Sequence, residues 1–371
     1  MREFKYEVPK FEMRLSTVFS DELIKGVLEA DRAMNRQLLT NASFKKEVAY
    51  TLEKSLNGYT KPYLYELALD HNLTLPKSIQ KRELIEKLAK RIESRFEQML
   101  PYLPKLNLEF LSRFIGRKRA ITLSLEELQF RDISHAHNFG FLYLYHDKKG
   151  FKAVVPHELV EKLDLLRDKK LWERASLNQR IDAYAVSLSN LYGVLDIDQF
   201  ALIWNKFEKE TLTPAMAQDE LFELSKAQYY WWFDDELIIS SFFEKYEEVE
   251  HFLLKVREVP YYIPNRDELV EYFRNPYAQD SSAVSEMVEF LKGYEIANED
   301  HVIDLVEEIT DSCIVGNGMQ DAFNLLNEYE VLLNGMEEIN RFTQLYVQMN
   351  DSCRKWELRG HTPNALKKRN R

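Results

Sequence analysis

The sequence predicts a mainly α fold interrupted by two short β-hairpins, and three observations lead there. Apolar residues recur at helical spacing through most of the 371 positions. Gly and Pro number only 11 each, too few for an all-β chain built on tight turns. Strand-like runs of aromatic and β-branched residues occur as two pairs, each pair separated by a short polar turn. Hydrophobic residues at 45% supply enough apolar surface for two or three cores, so the chain does not read as disordered.

Residues 16–57 read as helices. "STVFSDELIKGVLEADRAMNRQLL" carries apolar positions near i, i+3 and i+4 behind a Ser20-Asp21 start, and Asn57-Gly58 ends the pattern. Pro62 opens the next helix, with Leu64, Leu67 and Ala68 on one face. "DHNLTLP" is the joint, and a second helix is expected from Ser78 with Leu84, Ile85 and Leu88 inward. Ser78 and Lys81 make only half a capping box, because the third position is not Glu or Gln.

The spacing of "LYELALDHNLTLPKSIQKRELIEKL" resembles the small helix-extended-helix domains of the Rho-terminator N-terminal and SAP type, over about 35 residues within 58–100. The resemblance implies that basic residues around the second helix meet nucleic acid, here Lys77, Lys81, Arg82 and Lys87. A helical hairpin with a solvated basic face accounts for the same residues. Residues 77–119 hold twelve Lys/Arg against five Glu, a local charge of +7 that extends the basic stretch to Arg117, Lys118 and Arg119.

Helical pattern then gives way to "FGFLYLY", a polar turn "HDKKG" and "FKAVV". Helices followed by such a hairpin suggest a winged-helix-like module, with Lys148 and Lys149 on the wing tip. A second block repeats the plan loosely: helices, "YYWWF", an acidic turn at Asp234, Asp235 and Glu236, then "LIISSFF". Asp196 and Gln199 have the spacing of a capping box for the helix carrying Phe200, Ile203 and Phe207. The acidic tip repels phosphate, so only the first wing suits nucleic acid. The "QYYWWF" aromatics suit base stacking or a half-buried strand, and the acidic turn favours the strand.

From "YYIPNRDELVEYF" onward the pattern is helical, with Asn265 and Glu268 as a capping box and acidic amphipathic helices near 284–293, 301–313, 319–334 and 336–350. Residues 234–311 carry six basic against twenty-one acidic side chains, −15 in sum. The final "WELRGHTPNAL" resembles the stretch that precedes the SEC-C zinc knuckle in many bacterial proteins, through Trp356, Gly360, His361, Thr362, Pro363 and Asn364. The knuckle's cysteines do not follow, so the resemblance implies bacterial origin and no zinc. A docking peptide anchored by Trp356 explains the same residues.

Catalytic signatures are missing. There is no GxxxxGK[ST], GxGxxG or GxSxG, and "HELVE" at 157–161 lacks the second histidine of HExxH. His135, His137, His146 and His157 cluster in sequence without an established zinc spacing. Cys313 and Cys353 form no CxxC motif and no disulfide framework. No apolar run reaches membrane length and the N-terminus lacks a signal-like core, so a cytoplasmic protein without membrane partner, cofactor, metal or enzymatic activity is expected.

The expected organisation is an N-terminal helical region (1–57), the helix-extended-helix domain (58–100), two winged-helix-like modules (101–170 and 171–258) and an acidic helical region (259–371). Net charge is −11, so a nucleic-acid role requires a local basic face. The leading expectation is a nucleic-acid-associated accessory or regulatory protein of weak sequence specificity, because phosphate contacts carry no base information. The alternative is a non-enzymatic scaffold that meets a protein partner through its acidic half.

Overall fold

A computed structural model describes residues 21–148, 150–227, 230–276, 282–294 and 299–369. The described residues up to Arg180 form one compact unit and those from Ile181 form another.

The first unit begins with α1 (Asp21–Asn41), β1 (Ser43–Phe44) and α2 (Leu52–Leu56). Helix α3 (Lys61–Asp70) starts from Thr60, whose hydroxyl accepts from the Tyr63 amide, with Pro62 in the first turn where no helical N–H is lost. Leu64, Leu67 and Ala68 are buried, as their spacing predicts. Helix α4 (Lys81–Met99) begins three residues later than expected. Ile79 donates its amide to the Pro76 carbonyl, and the resulting turn sends Ile79 into the core before the helix starts at Gln80. Residues 42–51 are likewise not helical: Ser43 and Phe44 join a sheet.

After α5 (Lys105–Ser112) come β2 (Ile121–Leu123), α6 (Ser134–Asn138), β3 (Tyr143–Asp147), β4 (Gly150–Val154) and α7 (His157–Val160). The sheet runs β1-β3-β4-β2, with β1 parallel to β3 and the other pairs antiparallel. The β3–β4 hairpin is the expected one, whereas β1 and β2 are too short to show a two-residue period. Phe96 from α4 meets Phe141 edge-on at 4.8 Å, tying the helices to the approach of β3. Asn107 is fully buried and satisfied: it donates to the Arg131 carbonyl and accepts from the Ala136 amide.

Helix α8 (Lys169–Tyr192) leads into the second unit. There β5 (Val194–Asp196), α9 (Ile197–Phe207), α10 (Pro214–Leu224), β6 (Trp231–Asp234) and β7 (Leu237–Ser240) follow in order. The sheet order is β5-β7-β6, both pairs antiparallel. Strand β5 lies between Gly193 and the helix cap Asp196, which accepts from the Gln199 amide, so three residues of strand hide behind a strong helix signal. Trp231 is buried, while Tyr230 before it is exposed.

The chain continues through α11 (Tyr246–Val256) and α12 (Arg266–Arg274), where the Asn265–Glu268 capping box is complete. Helices α13 (Ser282–Leu291), α14 (Glu299–Val315), α15 (Met319–Glu328) and α16 (Gly335–Ser352) share a core around Met287, Leu305, Ile309, Phe342 and Leu345. Helix α15 stops short of the expected 334, because Glu330 takes a left-handed turn at φ 57°.

The final stretch is held down by close packing. Trp356 donates its indole N–H to the Asn190 carbonyl and stacks on Phe243 at 5.6 Å. A Cβ on Gly193, at φ +72°, would come within 2.6 Å of that indole. Thr362 caps α17 (Pro363–Arg369) by accepting from the Ala365 amide. No described helix is long and apolar enough to cross a membrane.

Candidate nucleic-acid interface

Two sets of basic residues in the first unit lie toward opposite ends of its sheet. One gathers where β1, α3 and α4 begin or end. Lys81 is partly buried and donates to the Asn57 carbonyl at 3.2 Å. Lys61 donates to the carbonyl of Lys77 at 3.0 Å, which places those two residues side by side. Lys46 lies over the Phe44 ring at 4.4 Å. Burial, and then the positive field of Lys81, hold the Lys46 ammonium below its ordinary pKa. Like charges are therefore being held together, an arrangement that costs energy until an anion arrives.

Aromatic rings line the same place. Phe44 meets Tyr59 edge-on at 4.8 Å, Tyr59 stacks on Tyr63 at 4.3 Å, and Lys61 lies 5.7 Å from the Tyr65 ring centre. Among the described residues, Lys46, Lys61, Lys77, Lys81 and Lys148 have no carboxylate within ion-pair distance. Lys148 is exposed just beyond the end of β3. Because β1 runs parallel to β3, Lys45 and Lys46 leave the sheet toward that same tip. Lys149 lies outside the described residues.

The remaining expected contacts behave differently. Arg82 pairs with Glu86 at 3.0 Å and Lys87 with Glu83 at 2.8 Å, both one turn along α4. These are solvated pairs of the kind worth a few tenths of a kcal/mol, and their fields largely cancel. Arg117, Lys118 and Arg119 are exposed, but they precede β2, whose Ile121 pairs with Ala153 near the far end of the hairpin. Three strand residues at about 3.3 Å each, plus the lead-in, put this triplet roughly 15 Å or more from the wing tip. Lys118 is paired there with Glu161 at 2.8 Å, and its carbonyl meets the His157 ring.

The four clustered histidines do not converge. His137 is buried with its Nδ1 3.3 Å from the Leu142 carbonyl, and burial pushes its pKa down to about 4. His146 meets the Ser43 hydroxyl, His135 that of Ser134, and His157 stacks on Tyr50. Among the described residues no group of three or more His, Cys, Asp or Glu side chains is placed to hold a metal ion.

Lys46 and Lys61 escaped the sequence reading. Lys46 sits in a stretch whose spacing predicts a helix, and Lys61 stands beside Pro62, whose own signal is a helix start. The one local signal was "KKEVAYTLEKSLNGYTKPY", in which lysines alternate with tyrosines. Compared with known proteins, the chain matches no family model, no curated protein and no solved structure.

Proposed function

We propose that the chain is a nucleic-acid-associated accessory protein that grips phosphates with Lys46, Lys61, Lys77 and Lys81, with Lys148 on the adjoining wing. The observation that carries this reading is the gathering of four lysines from three chain segments with no counter-carboxylate among the described residues. Compact ammonium groups at this density suit phosphate and release condensed counterions on binding. The neighbouring Tyr63 and Tyr65 rings add a surface on which a splayed base can stack. Arg117 and Arg119 make a second, separate contact for a longer strand.

The winged-helix reading of both modules belongs to the same proposal. In each, a strand precedes helical segments and a hairpin, and that strand pairs with the second hairpin strand: β2-β4-β3 in one, β5-β7-β6 in the other. In the second module α10, which precedes the hairpin, carries Asp219, Glu220 and Glu223, and the wing tip is acidic as well. That module repels phosphate, so the nucleic-acid role rests on the first unit.

The test is fluorescence anisotropy with labelled single- and double-stranded DNA and RNA at about 50 and 200 mM salt. The triple variant Lys46→Gln/Lys61→Gln/Lys77→Gln changes two exposed side chains and the half-buried Lys61, and none from the core. It should weaken binding at least tenfold and reduce the log–log salt slope by about 2 to 3, since each lost phosphate contact removes roughly 0.9. Arg82→Gln should leave affinity within about twofold, because Arg82 is already paired. No binding by the unaltered protein at low salt, or equal binding by the triple variant, overturns the proposal.

A further inference from the structure

We infer that the second unit carries an aromatic pocket for a cationic side chain, arginine above all, presented by a protein partner. The pocket lies where α11 passes over the final stretch of the chain and has a volume of about 390 Å³. Its walls are the rings of Phe242, Phe243, Phe252 and Trp356. Phe242 stands edge-on to Trp356 at 5.3 Å, Phe243 stacks on it at 5.6 Å, and Phe252 meets Phe243 at 5.4 Å. Phe242 is 52% exposed, so its ring is accessible at the mouth.

The rim tells which occupant fits. Glu247 and Glu248 in the first turn of α11 line the mouth and are exposed. Carboxylates beside the faces of Trp and Phe rings suit a cation, since the ring quadrupole and the carboxylates attract the same sign of charge. His251 and Lys255 line the rim too, on the later turns of α11. Lys255 lies seven residues beyond Glu248, about 10 Å along the helix, so the rim is negative at one end and positive at the other. A guanidinium at the Glu247 end with a backbone carbonyl or carboxylate of the partner at the Lys255 end satisfies both. Glu244 adds a further exposed carboxylate at the Glu248 end, where its amide donates to the Glu248 carboxylate at 3.3 Å.

The pocket is open to solvent, which argues for a side chain and against a free small molecule. A small ligand gains affinity by losing most of its surface to its site, which an open mouth does not offer. A side chain arrives with its own polypeptide, which covers the mouth. Exposed Tyr246 and Leu254 on α11 give that polypeptide apolar footing. This site shares no residue with the lysine face, so its failure and that of the nucleic-acid reading are separate results.

The experiment follows the Trp356 indole N–H by NMR in the full chain, during titration with the blocked tripeptide Gly-Arg-Gly. The neutral citrulline analogue, the lysine analogue and tetramethylammonium run in parallel. The arginine peptide should shift the Trp356 signal with a Kd on the order of 1 mM, and citrulline should bind at least tenfold more weakly. Phe242→Ala, at an exposed position, and Glu247→Gln/Glu248→Gln should each weaken the arginine peptide at least threefold. Tetramethylammonium binding as tightly as the arginine peptide would assign the pocket to free small cations and overturn the side-chain reading. No shift with arginine, equal shifts with citrulline, or indifference to both variants would overturn it outright.

Discussion

Asp182 offers a prediction whose sign and size both follow from the fold. It lies near the start of the second unit, with its carboxyl turned toward Trp231, whose indole N–H donates to it at 3.1 Å. Burial pushes the Asp182 carboxyl up to about 6, and the single hydrogen bond from Trp231 opposes that rise without cancelling it. A carboxyl whose pKa is raised in the folded state favours folding most below its unfolded value near 3.8, and that advantage is lost as pH rises toward 6. The rise from 3.8 to about 6 corresponds to roughly 3 kcal/mol at full burial, and about 2 kcal/mol is expected because the residue keeps some exposure. Asp182→Asn removes the titration but keeps an oxygen for Trp231. The variant should therefore be more stable than the natural chain by about 2 kcal/mol at pH 7.5, and the gain should shrink to roughly a third at pH 4.5. Denaturant-dependent hydrogen exchange, read on peptides from 181–276, reports this unit alone. A variant no more stable at pH 7.5, or a gain that does not change with pH, would refute the reasoning.

His137 in the first unit has the opposite sign. Its folded-state pKa of about 4 lies below the ordinary 6.5, so acidification from 6.5 to 4 should cost this unit up to roughly 3 kcal/mol, and His137→Gln should flatten that acid sensitivity in urea melts followed on peptides from 52–160. Gly193→Ala places a Cβ 2.6 Å from the Trp356 indole at a left-handed φ, and a loss of about 3 kcal/mol is expected from overpacking and backbone strain together. Near-UV circular dichroism through a thermal melt measures it, and a melting point unchanged within about 2 °C would show that the indole moves aside freely.

Most helices were legible because each announces itself locally. Thr60 with Pro62, and Asn265 with Glu268, act within one turn of the residues they cap, so sequence spacing is sufficient. Strands β1, β2 and β5 were not legible. At two or three residues each they owe their conformation to a partner elsewhere: Phe44 to Tyr145, Ile121 to Ala153, Val194 to Ile239. The start of α4 was misplaced for a related reason. Ser78 looks like a cap by type, but burial of Ile79 and the Pro76 turn decide the conformation. The lysine face was half visible, since Lys77 and Lys81 stand in an evident basic run while Lys46 and Lys61 reach it only through folding. The aromatic pocket was invisible, because Phe242 and Trp356 lie 114 positions apart in the chain.

Counting charge along the chain overstates what an anion meets. The stretch 77–119 sums to +7, yet Arg82 and Lys87 are neutralised by Glu86 and Glu83 within the same helix, and Lys118 by Glu161. What remains available is Lys77 and Lys81 from that run, joined by Lys46 and Lys61, which composition does not single out and which a two-residue strand and a helix start bring to them. Four or five phosphate contacts of this kind give the modest, salt-sensitive affinity of non-specific binding, on the order of 10⁻⁴ to 10⁻⁶ M at physiological salt. Such affinity is too weak to hold the protein on nucleic acid by itself at low concentration. A second attachment through the aromatic pocket would raise the effective concentration at the lysine face without any new phosphate contact. On the proposed reading, an accessory protein that is acidic overall would gain its address from a basic protein partner and use nucleic acid as the surface it reads once there.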